Sequence, residues 1–189
     1  MTDVSHFWLS IHLCTALVTL AGLVWTALDL QALDRDRAAR PARFRPIAML
    51  AGAVLFLQIL LGAWVAGLNA GHASNTWPLM QERIVPEADL SQGLFFAVTH
   101  DPFLLHFLHR WFAWAAFAAL LWLGWRALSR EDNAGKALIG LAMGQVLLGI
   151  VTVVTGVSLW IAVAHQVTGA LLVAATATAA HAVGRRPQG

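Results

Sequence analysis

Eight histidines lie in this sequence of 189 residues, and they are the side chains with most to offer chemically. His12, His109 and His165 each fall inside a long apolar stretch, about five to seven residues from the end by which it would enter a membrane. At about 1.5 Å per helical residue, the three share a depth of roughly 8–11 Å below one boundary. An imidazole in hydrocarbon needs a polar partner or a metal. One histidine in an apolar helix is most often a core residue with its bonds satisfied, but three on one level point to a shared site. Zinc would ask for a third or fourth protein ligand, or a supporting carboxylate. One histidine from each of two facing helices suits heme instead, because the iron takes axial imidazoles while the ring lies among apolar side chains. Heme is the favoured reading, ahead of zinc and of plain core histidines. Arg110, beside His109, reads either as a partner for a heme propionate or as an arginine snorkelling to the interface.

The other candidates are weaker. His106 stands three residues before His109, so both face one side of the helix; it reads as a partner of that ring or as part of the outer mouth. His6, His72, His100 and His181 sit at the surface or near helix ends and read as bland. No Asp or Glu falls deep inside an apolar stretch, Asp29 and Asp101 being at the ends. That argues against an ion-driven carrier, which needs intramembrane carboxylates. The single cysteine, Cys14, can form neither an internal disulfide nor a CxxC pair and reads as a small buried hydrophobe. Gly140-Leu-Ala-Met-Gly144 is a GxxxG that would permit close helix packing. A faint repeat relates His12 with Thr15 to His165 with Thr168.

These side chains must be positioned by membrane helices. The chain is 59% hydrophobic and 12% charged, against about a quarter charged in an average soluble domain. It has nine Trp, nine Phe and no Tyr, and its mean hydropathy is +0.68. So much apolar surface would aggregate a soluble protein, which excludes a water-soluble enzyme, a nucleic-acid binder and a disordered tail. Spanning a bilayer takes about 20 apolar residues, and five stretches qualify: 7–30, 47–68, 103–128, 136–155 and 158–183. The last two meet in a tight turn around Thr155-Gly156-Val157-Ser158. Pro46 and Pro102 stand where the second and third helices should begin, a favoured place for a residue without an N–H.

Lys and Arg in the short loops set the orientation. Arg35, Arg37, Arg40, Arg43 and Arg45 crowd loop 31–46, Arg126, Arg130 and Lys136 surround the next connection on that side, and Arg185 and Arg186 close the chain. Loop 69–101 has Arg83 alone, against Glu82, Glu87, Asp89 and Asp101. The expectation is an outer loop 69–101, an outer N-terminus and a cytoplasmic C-terminus, in the bacterial inner membrane. Trp8, Trp77 and Trp160 would then mark the outer interface, and Trp25, Trp122 and Trp125 the inner one. An outer N-terminus without a signal peptide leaves two readings: either the short polar tail slips across, or the chain is the downstream part of something longer.

Several motifs resemble a known family. Leu61-Gly-Ala-Trp-Val-Ala-Gly-Leu-Asn-Ala-Gly71, followed by Asn75-Thr-Trp-Pro-Leu-Met80, closely resembles the signature that opens the C-terminal half of the heme A synthases. These membrane enzymes of cytochrome oxidase assembly oxidise the C8 methyl of heme O to a formyl group. Phe107-Leu-His-Arg110 resembles the family's His-Arg motif, Ala164-His-Gln166 its His-Gln motif, and Val4-Ser-His-Phe-Trp-Leu-Ser-Ile-His12-Leu its fourth helix. The family has eight helices in two four-helix halves, and this sequence resembles the fourth to the eighth.

The resemblance implies an all-α integral membrane fold of five transmembrane helices. Residues 1–30 would be the last helix of the N-terminal half and 31–46 a cytoplasmic loop. Residues 47–189 would form a four-helix, heme-binding bundle with outer loop 69–101. It further implies that His109 and His165 are the paired axial ligands of a heme b serving electron transfer, and that His12 is one ligand of the substrate heme site. The family's catalytic Glu would lie in the first three helices, which have no counterpart here; His106 stands at the matching position of this half, so the catalytic residues are left unassigned. The function implied is a heme A synthase-type oxidoreductase, with heme O as substrate and heme A as product. This chain would carry the electron-transfer half. A stand-alone b-type cytochrome and a non-catalytic heme-binding assembly factor are the alternatives. Besides lipid and heme, the partner would be the missing N-terminal half, a second copy or an oxidase assembly protein.

Overall fold

A computed structural model describes residues 5–185. Val4 of the helix-four motif, and Arg186 and Pro187 of the tail, lie outside the described residues. Every long element is helical. The order is α1 (His6–Arg35), α2 (Pro46–Gly67), a single 3-10 turn (Ala70–Ala73), the short α3 (Leu94–His100), α4 (Pro102–Leu128), α5 (Asp132–Val154) and α6 (Leu159–Gly184). Helices α1, α2, α4, α5 and α6 are long and apolar enough to cross a membrane, and the protein is an integral membrane protein of all-α class. The boundaries follow local chemistry. Pro46 and Pro102 open α2 and α4, where the missing donor costs nothing. Asp101 caps α4, its carboxylate accepting from Phe103 N and Leu104 N at 2.9 Å each.

Three boundaries differ from those read off the sequence. The first helix runs on to Arg35, so the arginine-rich loop is 36–45. The fourth span begins at Asp132 rather than 136, because a charged first turn is tolerated once the chain has left the apolar zone. The segment 69–101 is not all loop, since it holds the 3-10 turn and α3. Between α5 and α6 the chain reverses through Gly156 (φ 64°) and Val157 (φ 62°). The left-handed region suits glycine but is costly for a β-branched valine.

Helices α2, α4, α5 and α6 form a four-helix bundle, and α1 packs along α2 and α6. The bundle differs along its length. At the end bearing the arginine-rich loop it is solid, filled by Ala48, Ala51, Leu123, Ala127, Leu138, Ala180 and Val183. There α4 and α5 come close at Gly124 and Gly135, where a methyl on Gly135 would sit 2.7 Å from the Gly124 carbonyl oxygen. Gly140 and Gly144 do not make the close contact that their spacing suggested, for nothing lies within 4 Å of where their Cβ atoms would be. Cys14 is buried, as its type suggested.

This solid end is also tied by polar contacts. His181 Nε2 lies 2.9 Å from Asp29 Oδ1, and the same oxygen accepts from Ala42 N at 3.0 Å. Arg43 N donates to Gly184 O at 3.0 Å, and Trp25 stacks on Phe44 with ring centres 4.5 Å apart. The loop between α1 and α2 is thereby pinned to the end of α6.

Candidate functional site

Towards the end bearing loop 68–101 the same four helices part around a cavity of about 380 Å³. Its wall is mostly aliphatic, with Leu13 and Leu17 of α1, Ile59, Ala113, Val146 and Leu172 contributing. His109 from α4 and His165 from α6 both line it. So do His106, Arg110, His72 and Trp77 near the mouth.

Each of the two histidines is seated by its neighbouring helix with the same two residue types, though the glutamines reach different ring nitrogens, Nδ1 of His109 and Nε2 of His165. A glutamine reaches the ring, and a glycine one turn further on leaves room for it. Gln58 Nε2 stands 3.1 Å from His109 Nδ1 and donates to the His109 carbonyl at 3.0 Å; a methyl on Gly62 would come within 2.9 Å of His109 Cε1. On the other side Gln145 Nε2 is 3.4 Å from His165 Nε2, and a methyl on Gly149 would lie 3.2 Å from His165 Cε1. The sequence carries this device twice, as Gln58-Ile-Leu-Leu-Gly62 in α2 and Gln145-Val-Leu-Leu-Gly149 in α5. The hairpins α2–α4 and α5–α6 thus present one histidine each to one cavity. That repeat is legible in the sequence once glutamine and glycine are sought one turn apart, and a search centred on histidine alone passes over it.

Arg110 neither snorkels nor stands free. It is 5% exposed, its Nε donating to His106 Nε2 at 3.0 Å and its terminal nitrogens to Thr76 O at 2.8 Å and Ser74 O at 2.7 Å. Its guanidinium lies 5.8 Å from the Trp77 ring centre. Arg110 therefore holds segment 74–77 across the mouth of the cavity. His106, 3% exposed, is the acceptor that orients it.

His12 does not join the cavity. It is exposed on the face of α1 turned away from the bundle, with Thr15 and Thr19 one and two turns along. His6 and His100 meet edge to face at 5.3 Å beside the long loop. Among the described residues no group of three or more His, Cys, Asp or Glu could hold a metal ion, so no zinc-like cluster forms. Two histidines facing one apolar chamber remain. Four of the five buried side-chain polar atoms without a partner among the described residues also converge here: Gln58 Oε1, His106 Nδ1, Gln145 Oε1 and His165 Nδ1 belong to residues lining this cavity, and His6 Nε2 does not. Orphaned polar atoms around an apolar hollow are unfavourable unless something polar in part enters it.

The cytochrome oxidase assembly protein family matches residues 1–177 of the sequence. The chain belongs to this family. Among curated members, a heme A synthase of Erythrobacter litoralis is 61% identical over 185 residues, which are 97% of this chain and 55% of that protein. A heme A synthase of Sphingopyxis alaskensis is 58% identical over 188 residues, 98% of this chain and 53% of the relative. A more distant heme A synthase, from Flavobacterium psychrophilum, is 36% identical over 190 residues, 95% of this chain and 55% of its own length. The chain spans about half the length of these family members. No solved structure gives a significant match.

Proposed function

We propose that this chain holds a heme between His109 and His165 and serves as the electron-transfer half of a heme A synthase-type oxidoreductase. The single observation that carries this reading is the matched pair of seats, Gln58/Gly62 under His109 and Gln145/Gly149 under His165, facing one apolar cavity. The residues suit such a group. Two imidazoles supply axial nitrogens, the aliphatic walls suit a macrocycle, and the orphaned polar atoms lie in reach of its ligands. A heme bound there would supply one-electron redox chemistry.

The chain's own residues do the rest. Helices α4 and α6 hold the imidazoles on opposite hairpins. Leu13 and Leu17 of α1 close the lipid side against water. Arg110 keeps segment 74–77 over the mouth, and its remaining N–H groups are available to a carboxylate there. On this reading the substrate, heme O, is oxidised at a second site to which His12 contributes. The exposed face of α1 that carries His12 would meet the helices that complete that site. The arginine distribution supports an outward-facing long loop and a cytoplasmic C-terminus.

The test is the oxidised and reduced visible spectrum of the purified chain, with three variants. One low-spin b-type heme per chain is expected in the parent and in His12→Ala, and none in His109→Ala or His165→Ala. Retention of the low-spin species in both of the latter would sink the pairing. Its equal loss in His12→Ala would mean that the wrong helices have been paired.

A further inference from the structure

The two glutamines of the seats have no assigned part in the chemistry. An imidazole that binds a metal through one ring nitrogen carries its proton on the other, and that N–H needs an acceptor that fixes the ring and strengthens the ligand. Buried acceptors in this bundle are mostly taken by helix bonds. Among the described residues, the buried side-chain oxygens without a partner are Gln58 Oε1 and Gln145 Oε1, one beside each candidate ligand. His165 Nδ1, a ring nitrogen of the second pair, is orphaned as well. The amides now turn their nitrogens to the rings, at 3.1 Å for His109 and 3.4 Å for His165. That is the arrangement expected while a ring nitrogen still offers its lone pair to the glutamine. A turn of either amide exchanges the two ends, and the orphaned oxygen becomes the partner; at Gln58 the turn gives up the 3.0 Å donation to the His109 carbonyl in exchange.

We propose that Gln58 and Gln145 are the positioning residues of the heme ligands, each accepting the N–H of its histidine when the opposite ring nitrogen binds iron. This rests on the heme reading above. Each glutamine thereby selects the ring tautomer and raises the basicity of the ligand, which favours the ferric state. Gly62 and Gly149, one turn on, let the ring approach closely enough for the bond. The two hairpins carry the device independently, so each glutamine is expected to act on its own histidine.

The experiment titrates the full chain in detergent with ferric protoporphyrin IX and measures the midpoint potential of the bound heme. Gln58→Leu and Gln145→Leu remove the acceptor, and Gln58→Glu and Gln145→Glu strengthen it. Each Leu variant is expected to bind ferric heme at least about tenfold more weakly. Where the ferrous form keeps its affinity, a tenfold ferric loss raises the midpoint by about 59 mV. The Glu variants, which keep an oxygen in place, are expected to hold heme and to move the midpoint downward. Unchanged ferric affinity and midpoint in both Leu variants would overturn the glutamine role and leave the histidine pair standing. So would Leu and Glu shifting the midpoint in the same direction, since that marks altered packing rather than a hydrogen bond. A parent chain that takes up no bis-imidazole heme overturns both readings together.

Discussion

The four bundle helices are built two ways along their length. Towards the arginine-rich loop, Ala48, Ala51, Leu123, Ala127 and Leu138 fill the space between them. Towards the long loop the same helices carry His109, His165, Gln58, Gln145, Gly62 and Gly149, and they enclose a cavity. Both halves are apolar on average, and both use small residues, but to opposite ends. Gly124 and Gly135 bring α4 and α5 together, whereas Gly62 and Gly149 make room for a ring. The solid half therefore carries the bundle's stability, and the hollow half carries most of the buried polar atoms without partners.

Filling the hollow half should have the largest effect. Gly62→Leu and Gly149→Leu place branched side chains where the rings lie, and heme uptake by the purified chain should fall by at least about 100-fold. The unfolding temperature without heme should stay close to the parent's; a large drop would show that the hollow half is part of the stabilising core after all. Hollowing the solid half gives the converse. Leu138→Ala or Leu123→Ala should cost about 2–5 kcal/mol in reversible unfolding in detergent, while the fraction that remains folded binds heme with unchanged affinity. A selective loss of heme affinity would erase the distinction between the halves.

Two smaller tests probe the polar clamps at either end. Arg110→Ala removes three hydrogen bonds at the mouth and should cost about 3 kcal/mol. Proteolysis should then cut within segment 74–77 first, and cutting elsewhere would deny Arg110 its role as the tie. His181→Leu leaves Asp29 with one partner fewer at the solid end. A cost of about 1 kcal/mol is expected, with the heme spectrum unaltered; a changed spectrum would join the two ends into one unit.

Much of this was legible in the residues. Apolar runs, prolines at helix starts and arginines between runs fix five helices to within a few residues, because the bilayer demands length and hydropathy and little else. The depth of His109 and His165 follows from counting along those helices. Depth alone, however, puts His12 in the same class, and it lies on the far face of α1. Arg110 read as a propionate partner or a snorkelling arginine; it does not snorkel but is buried, bonded to carbonyls 34 and 36 positions away. The pair Asp29 and His181, separated by 152 residues, left no local trace, since each residue alone looks like an ordinary helix end.

Residue types and their spacing establish the class of the protein, its helices and the side chains capable of binding a metal-centred cofactor. Hydrophobic length and local start and stop chemistry act within one segment and need no partner. Which histidines share a cavity, which glutamine and glycine seat each ring, and which arginine holds the loop emerge only from the packing of the helices. Those outcomes depend on the rotation of each helix about its axis. Rotation is set by packing against neighbours distant in the chain, and a helix apolar on nearly every side does not record it.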